Sequence, residues 1–116
     1  MTDTVYSAIG GHDTVVTIVD AFYERLVGDP TVAHHFAANR LSSLKEAQVR
    51  WFTAALSGVA PPSDLARAHD GLDITDEQVM IVIGHLNQLL VDLGVDRRLR
   101  RAIDSVVSRL WFARQF

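Results

Sequence analysis

Four segments of this chain repeat apolar residues every three to four positions, and none alternates them every second position for long enough to form a strand. That periodicity restricts the chain to an all-α fold. Val15, Ile18, Val19, Phe22, Tyr23 and Leu26 make the first stripe, and Leu44, Gln48, Trp51, Phe52 and Ala55 the second. Val79, Val82, Ile83, Leu86, Leu89, Leu90 and Leu93 make the third. Leu99, Ala102, Ile103, Val106, Val107, Leu110 and Trp111 make the fourth. A helix with one apolar stripe must bury it against another element, so the four helices pack on one another.

The breaks between stripes set the element boundaries. Val5, Tyr6 and Ile9 suggest a short amphipathic piece, ended by Gly10-Gly11, a pair that permits both a sharp turn and a close helix approach. Gly28-Asp29-Pro30 ends the first long helix. Thr31 to Phe36 reads as a turn anchored by Phe36, with His34 and His35 facing solvent. Ser43 with Glu46, and Thr75 with Gln78, carry the spacing of capping boxes and predict helix starts there. Pro61-Pro62 follows Ser57-Gly58 and precludes a continuous helix. A two-turn segment, 64–70, then carries His69 and stops at Gly71. Gly94 caps the third long helix and Asp96 starts the last, a connection short enough for antiparallel neighbours.

A length of 116 residues suits a single domain spanning 1–116. The formal net charge of −3, with no dominant basic block, argues against a nucleic-acid partner. Six arginines in the last twenty residues read as a solvated helix face. The chain has no cysteine, which excludes disulfides, thiolate metal sites and thioether attachment of haem. Neither a secretory signal nor an apolar run of membrane-spanning length is visible, so a soluble cytoplasmic protein is expected.

Signatures of phosphate loops, dinucleotide folds, zinc proteases and serine hydrolases are absent. Three residues stand out instead. Tyr23 and Gln48 are polar groups on the core faces of two different helices. Each has an ordinary reading as a core residue bonded to a neighbour. If the helices cross, the two could also build one polar spot in an apolar cavity. His69, on a helix too short to be stable alone, is the third. One imidazole cannot hold zinc by itself, but it can hold haem iron, since the porphyrin supplies the other nitrogens.

Stretches along nearly the whole chain resemble the group I truncated haemoglobins. They are Ala8-Ile-Gly-Gly11, Ala21-Phe-Tyr-Glu-Arg25, Leu41-Ser-Ser-Leu-Lys-Glu-Ala-Gln48 and Trp51-Phe52. Ala66-Arg-Ala-His69 with Gly71, Ile74-Thr75, and Gly84-His85-Leu86 complete the set. The resemblance implies a shortened globin fold, a two-over-two helical sandwich around non-covalent haem b. It implies His69 as the proximal iron ligand and Tyr23 with Gln48 as the distal polar pair. Leu44 takes the position where many globins carry a distal histidine. Phe36, Phe52, Ile74, Val82, Leu86, Ile103 and Val107 are implied as haem wall, with Phe22 and Ile83 as further candidates. Arg40 and Lys45 are the candidates for holding a propionate.

The function implied is reversible binding of dioxygen, and of nitric oxide and carbon monoxide, at a five-coordinate iron. An alternative is a nitric oxide dioxygenase that forms nitrate; with no flavin or nicotinamide motif in the chain, it needs an external reductase. A third reading is a cofactor-free helical interaction module, which predicts a colourless protein. A monomer or weak homo-oligomer is expected.

Overall fold

The computed structural model describes residues 4–36, 38–59 and 75–113. Helix α1 is Val5–Ala8, α2 His12–Val27, α3 Leu41–Leu56, α4 Asp76–Asp92 and α5 Arg97–Ala113. Two single 3-10 turns, Ala33–His35 and Ala38–Arg40, lie between α2 and α3. No strand occurs among the described residues. Helix α2 packs on both α3 and α4, α4 packs on α5, and α1 bridges α3 and α5. The four long helices thus close around one core, in which Val15, Val19, Leu26, Leu86, Leu90 and Ile103 are almost fully buried.

Gly10 and Gly11 make the turn from α1 to α2 possible. Both have positive φ, 115° and 76°. A Cβ on Gly10 would also run into the side chain of Thr14. Gly11 caps α2 through its backbone alone, its carbonyl accepting from Val15 N at 3.1 Å. At the far end of α2, Arg25 pairs with Asp92 of α4 at 2.7 Å, fixing the two helix ends together.

The Thr75–Gln78 capping box forms as the spacing predicts. Gln78 N donates to Thr75 Oγ1 at 3.1 Å, and Thr75 N donates to Gln78 Oε1 at 3.0 Å. Asp96 also starts its helix as expected, accepting from Arg98 N at 2.8 Å. The Ser43–Glu46 box does not form. The 3-10 turn at Ala38–Arg40 runs directly into α3, so the helix begins at Leu41 and Ser43 already lies inside it, exposed. Leu93, expected at the end of the third stripe, is 48 % exposed because α4 stops at Asp92.

Candidate functional site

Tyr23 sits one turn past the middle of α2, and Gln48 in the middle of the apolar face of α3, where those helices pack together. Their side chains meet. The Tyr23 hydroxyl donates to Gln48 Oε1 at 3.1 Å, and the residues are 2 % and 6 % exposed. Gln48 is the only buried polar side chain among the described residues apart from the tyrosine it meets. The periodicity placed both on core faces and left their meeting open; the helix crossing brings them together.

The surroundings are apolar. The Tyr23 ring packs edge-on against Phe22 at 5.5 Å and Phe36 at 5.6 Å between centroids. Leu44, Ala47 and Phe52 are buried one turn to either side of Gln48 or beside it. Burial pushes the Tyr23 phenol well above its ordinary value near 10, so it keeps its proton at any physiological pH. It is therefore a permanent donor with a single proton to give. In this arrangement that proton goes to Gln48 Oε1. The other end of the amide, Nε2, has no hydrogen-bond partner among the described residues. Left without an acceptor, a buried amide donor costs about 1–3 kcal/mol.

The remaining expected residues distribute as follows. Phe36 stands against Tyr23 and is 8 % exposed. Leu86 and Ile103 are buried, but they gather with Phe52, Leu56 and Leu90 around a small apolar void of about 10 Å³ on the side of α1, barely one water's worth of space. Val82 and Val107 pack half-buried against the same core. Arg40 is exposed, and Lys45 extends toward Asp20 of α2 at 3.4 Å. His69 and Ile74 lie outside the described residues.

Two histidine contacts were not visible in the sequence. His35 was expected in solvent, yet it is half-buried and its Nε2 donates to Gln78 Oε1 at 3.0 Å. The same oxygen accepts from Thr75 N, so the turn carrying Phe36 is tied to the first turn of α4. His34 is exposed as expected, its ring 4.1 Å from that of His35. His85 Nε2 donates to Asp29 Oδ2 at 2.6 Å, pinning the corner after α2 onto α4. Asp29 also accepts from the hydroxyl and the backbone N–H of Thr31. These donors, the Thr31 hydroxyl foremost, hold its carboxyl down at about 2. The available signals were faint: an Asp directly after a helix-ending glycine, and a histidine at the edge of an apolar stripe.

Comparison with known proteins matches this arrangement to one family. The family model of the bacterial-like globins matches residues 4–116. A group 1 truncated haemoglobin of Mycolicibacterium paratuberculosis, GlbN, is 34 % identical over 94 residues, covering 79 % of this chain and 69 % of the relative. The group 1 truncated haemoglobin LI410 of Chlamydomonas moewusii is 32 % identical over 96 residues, and the match spans 56 % of its length. Among solved structures, the 2/2 haemoglobin of Synechococcus sp. PCC 7002, in the cyanomet state with covalently attached haem, superposes with a TM-score of 0.83. It has 24 % identity, and the match covers 91 % of each chain. THB1 of Chlamydomonas reinhardtii gives a TM-score of 0.77 at 32 % identity over 93 % of each chain. The chain belongs to the bacterial-like globins, and within them to the group 1 truncated haemoglobins.

Proposed function

We propose that this chain binds haem b non-covalently and uses it to bind dioxygen reversibly, with Tyr23 and Gln48 as the residues that face the gas. The observation that carries this reading is the buried amide donor of Gln48 Nε2, which has no acceptor among the described residues and is held beside a tyrosine that burial keeps protonated. Those residues fit the distal side of a haem, where a donor in a dry apolar setting is what a diatomic ligand with acceptor character requires. With no cysteine in the chain, thioether attachment is closed, which supports the non-covalent form. His69 is the residue we assign to the iron, and Phe36, Leu44 and Phe52 are the buried apolar candidates for the haem's surroundings. When bound, haem supplies an iron that takes up dioxygen, nitric oxide or carbon monoxide.

The chain's own contribution is a choice between two donor arrangements. As it stands, Tyr23 spends its proton on Gln48 Oε1, and Gln48 Nε2 would be the donor offered to a bound gas. If the amide turns end for end, Nε2 donates to the Tyr23 oxygen and the hydroxyl proton is freed for the gas. Either arrangement offers a donor in a site that excludes water, and a bond of this kind to a partly charged acceptor is worth about 1.5–3 kcal/mol. That corresponds to roughly tenfold to a hundredfold in affinity, expressed mainly as slower release.

Slow release suits oxygen chemistry better than oxygen delivery. This supports, as a second reading, conversion of nitric oxide to nitrate with electrons from an external reductase. The test of the first reading is direct. Purified protein carries haem in about one-to-one ratio, and Tyr23→Phe releases dioxygen at least several-fold faster by stopped flow. An unchanged rate removes Tyr23 from the site. His69→Ala loses stoichiometric haem on purification; a retained five-coordinate ferrous spectrum reassigns the iron ligand. Mixing the oxygenated protein with nitric oxide, with and without a reductant, tests the second reading, and a single slow turnover counts against it.

A further inference from the structure

The turn that follows α2 is fastened to α4 at both of its ends. At the near end Asp29 Oδ2 accepts from His85 Nε2 at 2.6 Å, and at the far end His35 Nε2 donates to Gln78 Oε1 at 3.0 Å. His85 and Gln78 are seven residues apart in sequence, so they share one face of α4 about 10 Å apart along its axis. Gln78 Oε1 also accepts from Thr75 N at 3.0 Å. That capping bond fixes which end of the amide is oxygen, so the His35 Nε2 facing it carries a proton. Both lone pairs of the oxygen are then in use, and one atom ties the turn to the start of α4.

Phe36 comes directly after His35. It closes a three-residue 3-10 turn with φ −118° and ψ 74°, values of no regular helix, so no helix fixes where its ring points. Yet the ring is buried and stands edge-on to Tyr23, with centroids 5.6 Å apart and planes at 82°. The His35 ring stands edge-on to Phe36 in turn, at 6.5 Å and 81°. Contacts therefore run without a break from Gln78 through His35 and Phe36 to Tyr23, whose hydroxyl meets Gln48. His34, the exposed neighbour, stacks on His35 and makes no bond to α4 among the described residues.

We propose that His35 and Gln78 are positioning residues of the gas site, an assignment that rests on Tyr23 and Gln48 being the residues that face the gas. Their hydrogen bond seats Phe36, and Phe36 holds the Tyr23 ring. Of the two rings against Tyr23, Phe22 is its neighbour on α2, whereas Phe36 reaches it from a separate turn. Release of the His35 bond frees the end of that turn and gives the tyrosine ring room to tilt. Hydrogen bonds weaken steeply with misalignment, so a tilting ring offers a poorer donor and a poorer partner for Gln48. The bound gas is then released faster. Simple filling of the core by the turn predicts something else, namely that any ring of similar size serves at position 35.

Dioxygen release by stopped flow separates the two. His35→Phe keeps a planar ring, removes the donor and releases dioxygen at least about threefold faster. His35→Gln places an amide N–H about where Nε2 stands and brings the rate back to within about twofold of the parent. Because His35 acts through Tyr23, the double variant His35→Phe with Tyr23→Phe releases no faster than Tyr23→Phe alone. The stretching band of bound carbon monoxide reports the donor field directly: it broadens or splits in His35→Phe and stays as in the parent in His35→Gln. An unchanged rate in His35→Phe, where Tyr23→Phe does accelerate release, overturns the proposal and leaves the gas-binding reading intact. Multiplying effects in the double variant also overturn it, as does a His35→Gln that behaves like His35→Phe. A colourless protein, or an unchanged rate in Tyr23→Phe, sinks the gas-binding reading instead. The seating of Phe36 is then judged on the polypeptide by urea unfolding of the same variants, where coupled losses for His35→Phe and Tyr23→Phe uphold it and additive losses overturn it.

Discussion

Among the described residues Gln48 Oε1 has one donor, the Tyr23 hydroxyl, and that dependence gives the pair a measurable signature in stability as well as in gas release. Tyr23→Phe strands the buried acceptor and is expected to destabilise the fold by about 1–3 kcal/mol in urea unfolding. Tyr23→Phe with Gln48→Leu removes both polar partners from an apolar site, so it recovers much of that loss; additive losses would show that the two do not act as a pair. Asp29 gives a pH signature. Its folded-state value of about 2 lies below the unfolded value near 3.9, so its contribution is present above pH 4 and fades as pH falls toward 2. Asp29→Asn should therefore lower stability at neutral pH and flatten the acid limb of the stability profile between pH 4 and 2. An unaltered acid limb would mean the His85 and Thr31 contacts contribute nothing. At this scale the sequence exposed Tyr23 and Gln48 because a polar residue interrupts an apolar stripe. It could not expose Asp29–His85 or His35–Gln78, since pairs so distant along the chain leave no periodic trace.

The two capping boxes show what spacing can and cannot settle about an element. Thr75–Gln78 and Ser43–Glu46 have the same pattern, yet only the first caps a helix. The difference lies upstream, where the 3-10 turn at Ala38–Arg40 supplies the first turn of α3 and leaves Ser43 no terminal N–H to satisfy. Helix existence was thus legible from periodicity, whereas this boundary was decided by the preceding turn. The consequence is an asymmetric pair of substitutions. Thr75→Ala should cost about 1 kcal/mol in thermal or urea unfolding. Ser43→Ala should be neutral or slightly stabilising, because alanine is the better residue inside an exposed helix. Equal costs would restore Ser43 as a cap. Gln78→Ala should exceed Thr75→Ala, since the same Oε1 also receives the His35 bond that ties the Phe36 turn to α4.

For the molecule as a whole, periodicity supplied the helices but not their crossings; the two-over-two arrangement came from the resemblance, because four amphipathic stripes can pack in several ways. What distinguishes this packing is its dependence on what lies between the helices. A bundle that closes on itself satisfies its buried polar groups internally, whereas here a buried amide donor points at no described partner. If haem fills that place, it binds the folded chain and not the unfolded one, and it adds stability by mass action. At free haem a thousandfold above its dissociation constant the gain is about 4 kcal/mol. For a domain of this size, each kcal/mol moves the midpoint by several degrees, so extraction of haem should lower Tm by roughly 10 °C or more. Scanning calorimetry of the holoprotein, the extracted protein and the extracted protein reloaded with haemin checks this. Recovery of the original midpoint on reloading assigns the difference to the ligand. An extracted chain that melts where the holoprotein does would show that haem adds nothing to the stability of the helical shell, and the amide of Gln48 would then have its acceptor elsewhere.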